Sequence, residues 1–145
     1  MSVKKFAIIS IIVFVITIPV FSQSLETLDI SSSDFLLQGF EAYQRNDWPS
    51  ALLYLRKATS LPQTSTAEVW YMLVMSQMYA QEYESAINDS DFFIQVFPNS
   101  NLRSFVEYQK GRALHYVGKY DESISVLGDF CTQYASHELY PSALF

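Results

Sequence analysis

Cysteine occurs once in these 145 residues, at Cys131, and histidine only at His115 and His137. One thiol makes no internal disulfide and no metal cage. Neither histidine has a cysteine or a paired carboxylate at ligand spacing, so no metal and no cofactor is expected. The chain has four glycines, and they build neither a phosphate-cradling loop nor a nucleophile elbow. Glu82 with Glu84, and Asp89 with Asp91, stand two residues apart and point to different helix faces, as solvated carboxylates do. No catalytic constellation is legible, so no enzyme is expected. Cations are also scarce, with 9 Lys and Arg against 15 Asp and Glu and a net charge of −6. Lys4 and Lys5 belong to the leading segment, which leaves 7 basic against 15 acidic side chains in the rest. A surface that acidic repels phosphate backbones, which argues against nucleic acid as a partner. Beyond the leading segment no period-two strand pattern stands out.

What is abundant is apolar and aromatic. Half of the residues are hydrophobic and 16% are aromatic, enough for one small domain with a buried core and too many for a disordered chain. Lys4 and Lys5 precede an apolar run of 16 residues, Phe6 to Phe21, with Pro19 near its end and Val20-Phe21-Ser22 after it. A basic start, an apolar middle and a small-residue exit make a signal-peptide layout over 1–22, with cleavage expected after Ser22. The competing reading is an uncleaved anchor that tethers the protein to the cytoplasmic membrane. The run is shorter than the roughly 20 apolar residues that span a bilayer, and Ser10, Thr17 and Pro19 interrupt it. Under both readings the remainder is exported, to the periplasm or cell envelope. No cysteine follows the run to carry a lipid. Residues 23–33 are polar and Ser-rich and read as a linker.

From Ser33-Asp34 onward the apolar residues recur at helical spacing. Phe35, Leu36, Leu37, Phe40 and Tyr43 form the first such face, followed by Ala51, Leu52, Leu55 and Ala58 behind Pro49. Ser65-Thr66-Ala67-Glu68 reads as a capping box opening a third helix that runs to about Ala80. A fourth runs from about Tyr83 to Val96. Pro98-Asn99-Ser100-Asn101 reads as a stop and a fresh cap. A fifth helix ends at Gly118, and a sixth carries Ile124, Leu127, Phe130 and Cys131 and ends near Tyr134. Cys131, beside Leu127 and Tyr134, reads as a small buried hydrophobe.

These helices repeat. Trp48, Tyr83 and Tyr120 each precede a second helix, thirty-five and thirty-seven residues apart. Three positions on come Ala51, Ala86 and Ser123, then Leu52, Ile87 and Ile124. Gly39 and Gly111 stand twelve residues before Ala51 and Ser123, where a missing side chain lets two helices cross closely. The stretch from Trp70 to Pro98 is one such unit. It resembles a tetratricopeptide (TPR) helical hairpin, whose period is about 34 residues. The resemblance implies an all-α, right-handed helical solenoid over 34–145. Three hairpins, about six helices, are expected at 32–65, 67–100 and 104–137, and 138–145 begins a fourth repeat. Val74 in place of a small residue, Ser90 in place of a bulky one, and Glu107 and Lys110 in apolar positions depart from the pattern. The export segment and the turn at Phe97 to Ser100 are similar to those of exported bacterial cell-envelope members.

The resemblance also implies a function. First helices line the concave face, which places Leu36, Phe40 and Tyr43 in the groove from repeat one. Tyr71, Met75, Met78 and Tyr79 follow from repeat two, and Phe105, Tyr108, Arg112, His115 and Tyr116 from repeat three. Such a row is aromatic and Met-rich, suited to adaptable apolar contact. Arg112 is its one firm cation, so the carboxylate clamp of chaperone-tail-binding members is not expected. The implied function is a non-enzymatic interaction module of the cell envelope that binds a peptide or protein segment there. The alternative is a structural link in an envelope assembly, of the outer-membrane assembly or cell-division type, with an incidental groove. A longer array is expected beyond Phe145, with the last eight residues poorly ordered.

Overall fold

The computed structural model describes residues 34–144. The expected export segment, 1–22, and the linker, 23–33, lie outside the described residues. Among these the chain is helical and has no strand. Helix α1 covers 34–44. After it come α2 (Trp48–Thr59), α3 (Ala67–Tyr79), α4 (Tyr83–Val96), α5 (Arg103–Tyr116), α6 (Tyr120–Gln133) and α7 (Tyr140–Ala143). They pair as three hairpins, α1/α2, α3/α4 and α5/α6, and α7 lies against α6.

The three hairpin turns share one geometry. Asn46, Gln81 and Gly118 stand two residues before Trp48, Tyr83 and Tyr120 and have φ of 58°, 63° and 80°. The amides of Asp47, Glu82 and Lys119 each reach back five residues, to the carbonyls of Ala42, Gln77 and Leu114. The left-handed residue before each reaches back three. That is the Schellman closure, which satisfies carbonyls left open at a helix end. Asp47 also caps α2, its Oδ1 accepting from the Ser50 amide at 3.3 Å, and Pro49 sits in the first turn.

Glycine sets the crossings within two hairpins. A Cβ on Gly39 would lie 2.9 Å from Leu55 Cδ2, and one on Gly111 would lie 2.5 Å from Leu127 Cδ2. The Ser123 hydroxyl donates to the Gly111 carbonyl at 2.8 Å, which ties α6 to α5 at the same crossing. In the middle hairpin Val74 stands at the glycine position and Ser90 at the leucine position, both fully buried. The large and small partners are thus exchanged between the helices, a volume-conserving arrangement. Glu107 and Lys110, the other departures, are ion-paired: Glu107 with Arg103 at 2.8 Å and Lys110 with Asp91 of α4 at 2.6 Å.

The core is continuous along the stack because each second helix packs on the next first helix. Ala51, Leu52 and Leu55 of α2 meet Val69 and Leu73 of α3. Ala86 and Ile87 of α4 meet Ala113 and Leu114 of α5. Phe130 of α6 meets Tyr108 of α5 and Ala143 of α7.

Two expectations are corrected. Ser65 does not cap α3: the cap residue is Thr66, which makes no side-chain bond to the helix amides, and the Ser65 hydroxyl accepts instead from Trp70 Nε1 at 2.9 Å. A partly buried indole N–H is best satisfied by a nearby acceptor, and Ser65 supplies it. The last eight residues, expected to be poorly ordered, are described up to Leu144 and include a helical turn. That turn, Tyr140–Ala143, has its Ala143 buried against α5 and α6. His137 anchors the corner before it. Its Nδ1 accepts from the Leu139 amide at 3.1 Å, so its Nε2 carries the proton and donates to the Ser104 hydroxyl at 3.0 Å.

Candidate functional site

The first helices α1, α3 and α5 share one face of the stack, and that face is lined by three groups of side chains. The first is an apolar recess of about 390 Å³ between α1 and the start of α3. Leu36 and Phe40 line it, with Leu37, Val69 and Met72, and Glu68 and Thr66 stand at its rim. The Glu68 carboxyl is held below the usual range, by its own backbone amide and then by the Thr66 hydroxyl.

The second group is phenolic. Tyr43 and Tyr71 both hold their hydroxyls protonated beyond the ordinary phenol value of 10.0. For Tyr43 burial is the main cause, followed by neighbouring Tyr71 and Tyr79. For Tyr71 burial is again first, then Tyr79 and Glu138. Removing a phenol from water disfavours its charged form, and nearby negative groups add to that. Trp48 joins this cluster: Tyr79 stacks on it with ring centroids 4.6 Å apart, and Tyr43 meets it edge-on at 5.9 Å. From the sequence Trp48 reads only as the aromatic that precedes its own second helix. Its stacking partner lies in the next hairpin, and the one available signal was the matching pair Tyr83 and Tyr116, which stack in the same way. Met75 is half-buried on the same helix as Tyr71.

The third group lies on α5. Phe105 meets Tyr71 edge-on at 6.4 Å and His137 at 4.7 Å, which links the phenolic group to this end. Tyr108, Arg112, His115 and Tyr116 border a recess of about 250 Å³. Arg112 donates to Gln109 Oε1 at 3.1 Å and to the Tyr116 hydroxyl at 3.3 Å, and its guanidinium lies 5.8 Å from the ring centres of Tyr108 and Tyr116. It is occupied by its neighbours rather than held out for an anion. His115 is exposed and packs edge-on against Tyr120 at 5.3 Å.

Two residues expected in the groove belong mainly to the core. Tyr108 is 8% exposed because its ring packs on Phe130 and Ala143. Met78 is equally covered, by Ala86, Ile87, Ala113 and Leu114. A first-helix position is free only where the next hairpin leaves it uncovered, which spacing within one helix does not reveal.

On the opposite side a recess of about 480 Å³ between α4, α5 and α6 contains Asp91, Arg103, Glu107 and Lys110, already matched in the two ion pairs above. Among the described residues no group of three or more His, Cys, Asp or Glu side chains is placed to hold a metal ion. No described helix is long and apolar enough to cross a membrane.

Repeated helical hairpins, closed by one turn geometry and stacked through one interface, define a solenoid of the tetratricopeptide type. Among solved structures, the chain is similar to the Arabidopsis OM64 TPR domain, with a TM-score of 0.65 at 15% identity, covering 78% of this chain and 90% of that one. At that identity the likeness is one of fold. No protein-family model matches the chain, and no curated protein does.

Proposed function

We propose that this protein is a non-enzymatic protein-interaction module of the cell envelope. Its first-helix face holds a peptide or protein segment, chiefly by apolar contact. One observation carries the reading: the first helices that line the apolar recess at Leu36 and Phe40 also carry the Tyr43, Tyr71 and Tyr79 cluster, while Arg112 of α5 is taken up by Gln109 and Tyr116. Large aromatics dominate interface energetics, and loss of a central anchor typically costs about 2 kcal/mol or more. Rim charges contribute less and act mainly on association rate. The export layout of 1–22 supports the envelope part of the reading. Mass spectrometry of envelope fractions tests that part, with a mass beginning at Gln23 expected and recovery from cytosol contradicting it.

The test of the groove is capture from envelope extract by wild type, Phe40→Asp, Tyr71→Ala and Arg112→Ala proteins, each checked for helix content. The first two substitutions should weaken capture by tenfold or more, on the order of 2 kcal/mol, and Arg112→Ala should have little effect, as should added salt. Loss of capture with Arg112→Ala alone would make the face a clamp for acidic ligands. The structural-link reading keeps one observation in its favour, the exposure of Tyr120 and Ile124 on α6.

A further inference from the structure

Glu68, in the first turn of α3, stands between two recesses. On one side is the apolar recess of about 390 Å³ that Leu36 and Phe40 line with Val69 and Met72. On the other is a recess of about 560 Å³ between the start of α3 and the turn after α4, lined by Val96, Phe97, Asn99, Ser100 and Asn101. Glu68 lines both, and no other charged residue lines either.

Two features make this edge electronegative. The first is Glu68 itself, which is exposed and makes no ion pair among the described residues. Its own backbone amide and the Thr66 hydroxyl hold it ionised. A carboxylate has about four lone-pair sites, so those two bonds leave it able to accept more. The second feature is the end of α4. Its last turn has no basic residue, whereas α2 ends with Arg56 and Lys57. Pro98 follows the cap residue Phe97 and has no N–H to close the helix. A helix C-terminus carries partial negative charge and favours a cation. Arg103 reaches the Pro98 carbonyl at 3.2 Å, but its Nε donates to Glu107 on the far side.

We propose that the Glu68 edge binds a basic side chain, lysine or arginine, of a polypeptide segment whose neighbouring large apolar side chain fills the Leu36 and Phe40 recess. The cation lies between Glu68 and the end of α4, with its alkyl stem along Val96 and Phe97. This rests on the proposed function and adds the chemistry of its partner. The chain's own residues 23–33 do not meet that description, because they carry Glu26 and Asp29 and no cation. Nor does a second copy. Its net charge of −6 repels the first, and most of its lysines and arginines beyond the leading segment are already in ion pairs.

The probe is a displayed library of random peptides, passed over the immobilised full chain and over its Glu68→Gln and Glu68→Lys variants, each checked for helix content. Wild type should retain peptides in which Lys or Arg stands near a Leu, Phe or Met. Glu68→Gln should keep the apolar preference and lose the basic one, and Glu68→Lys should favour acidic residues instead. For the most enriched peptide, fluorescence anisotropy should show binding weakened about three- to fivefold by Glu68→Gln. Replacing the peptide's basic residue by glutamine should do the same, and both changes together should cost no more than either alone. The proposal is overturned, with the proposed function left standing, if wild type retains apolar peptides without a basic preference or if Glu68→Gln keeps that preference. Retention of no peptide by wild type overturns both readings. Tighter binding of a 23–33 peptide than of any selected one overturns the proposal in favour of the chain's own linker. A dimer in sedimentation that Glu68→Lys dissolves overturns it in favour of a second copy.

Discussion

Tyr79 lies flat on Trp48, with ring centroids 4.6 Å apart and planes inclined by 16°. Trp48 opens the second helix of one hairpin and Tyr79 closes the first helix of the next. The contact therefore fixes one hairpin on its neighbour, and Tyr83 and Tyr116 repeat it one unit on, at 4.6 Å and 20°. Aromatic pairs of this kind contribute about 0.5–1.5 kcal/mol beyond their buried area. A double-mutant cycle of Trp48→Ala and Tyr79→Ala in urea should give a coupling energy in that range. Strict additivity would mean that the stacking does not hold the hairpins together.

The crossing of α5 and α6 depends on Gly111. Alanine there gains roughly 0.8–1 kcal/mol of helix propensity but sets a methyl against Leu127. Overpacking of that kind costs about 1–3 kcal/mol. Gly111→Ala should therefore be destabilising in the wild type and stabilising once Leu127 is alanine. Denaturant midpoints of the four proteins check this. The same sign in both backgrounds would remove steric crowding as the explanation.

Gln81 occupies a left-handed backbone position at which the third hairpin has Gly118. A side chain there costs roughly 1–2 kcal/mol. Gln81→Gly should stabilise the protein by about 1 kcal/mol, offset in part by the greater freedom of the unfolded chain. Gly118→Gln should destabilise it by a similar amount. Thermal denaturation of both variants gives the comparison.

Alkali should weaken the inner face. The Tyr43 and Tyr71 phenols titrate above the ordinary value of 10.0, so the folded state retains protons that the unfolded chain gives up. Their contribution is complete below the unfolded value and is lost as pH rises through the folded one. Between about pH 8 and about pH 12, wild type should lose stability more steeply than the Tyr43→Phe, Tyr71→Phe double variant. Parallel curves would show that these hydroxyls do not differ between the folded and unfolded states.

Helix spacing, turn aromatics and the Gly39 and Gly111 crossings made the hairpins legible in the sequence, because those signals are local and periodic. What was not legible depends on neighbours. Val74 and Ser90 read separately as weakening departures, yet together they exchange large and small across one crossing. Trp48 reads as belonging to its own turn, and its stacking partner is thirty-one residues away. Tyr108 has the spacing of a groove residue, and the Phe130 and Ala143 side chains that cover it come from elements further along. Ser65 looks like a cap until the Trp70 indole claims its hydroxyl.

The central claim is that partners are held on the face formed by the first helices. It is tested most directly by placing a photo-crosslinking residue at Met75 on that face, and separately at Leu53, exposed on α2, in cells that make the protein. Irradiation should join a second polypeptide at Met75 and not at Leu53, and the Met75 product should disappear when Tyr71→Ala is added. Crosslinking at Leu53 with none at Met75 would contradict the account.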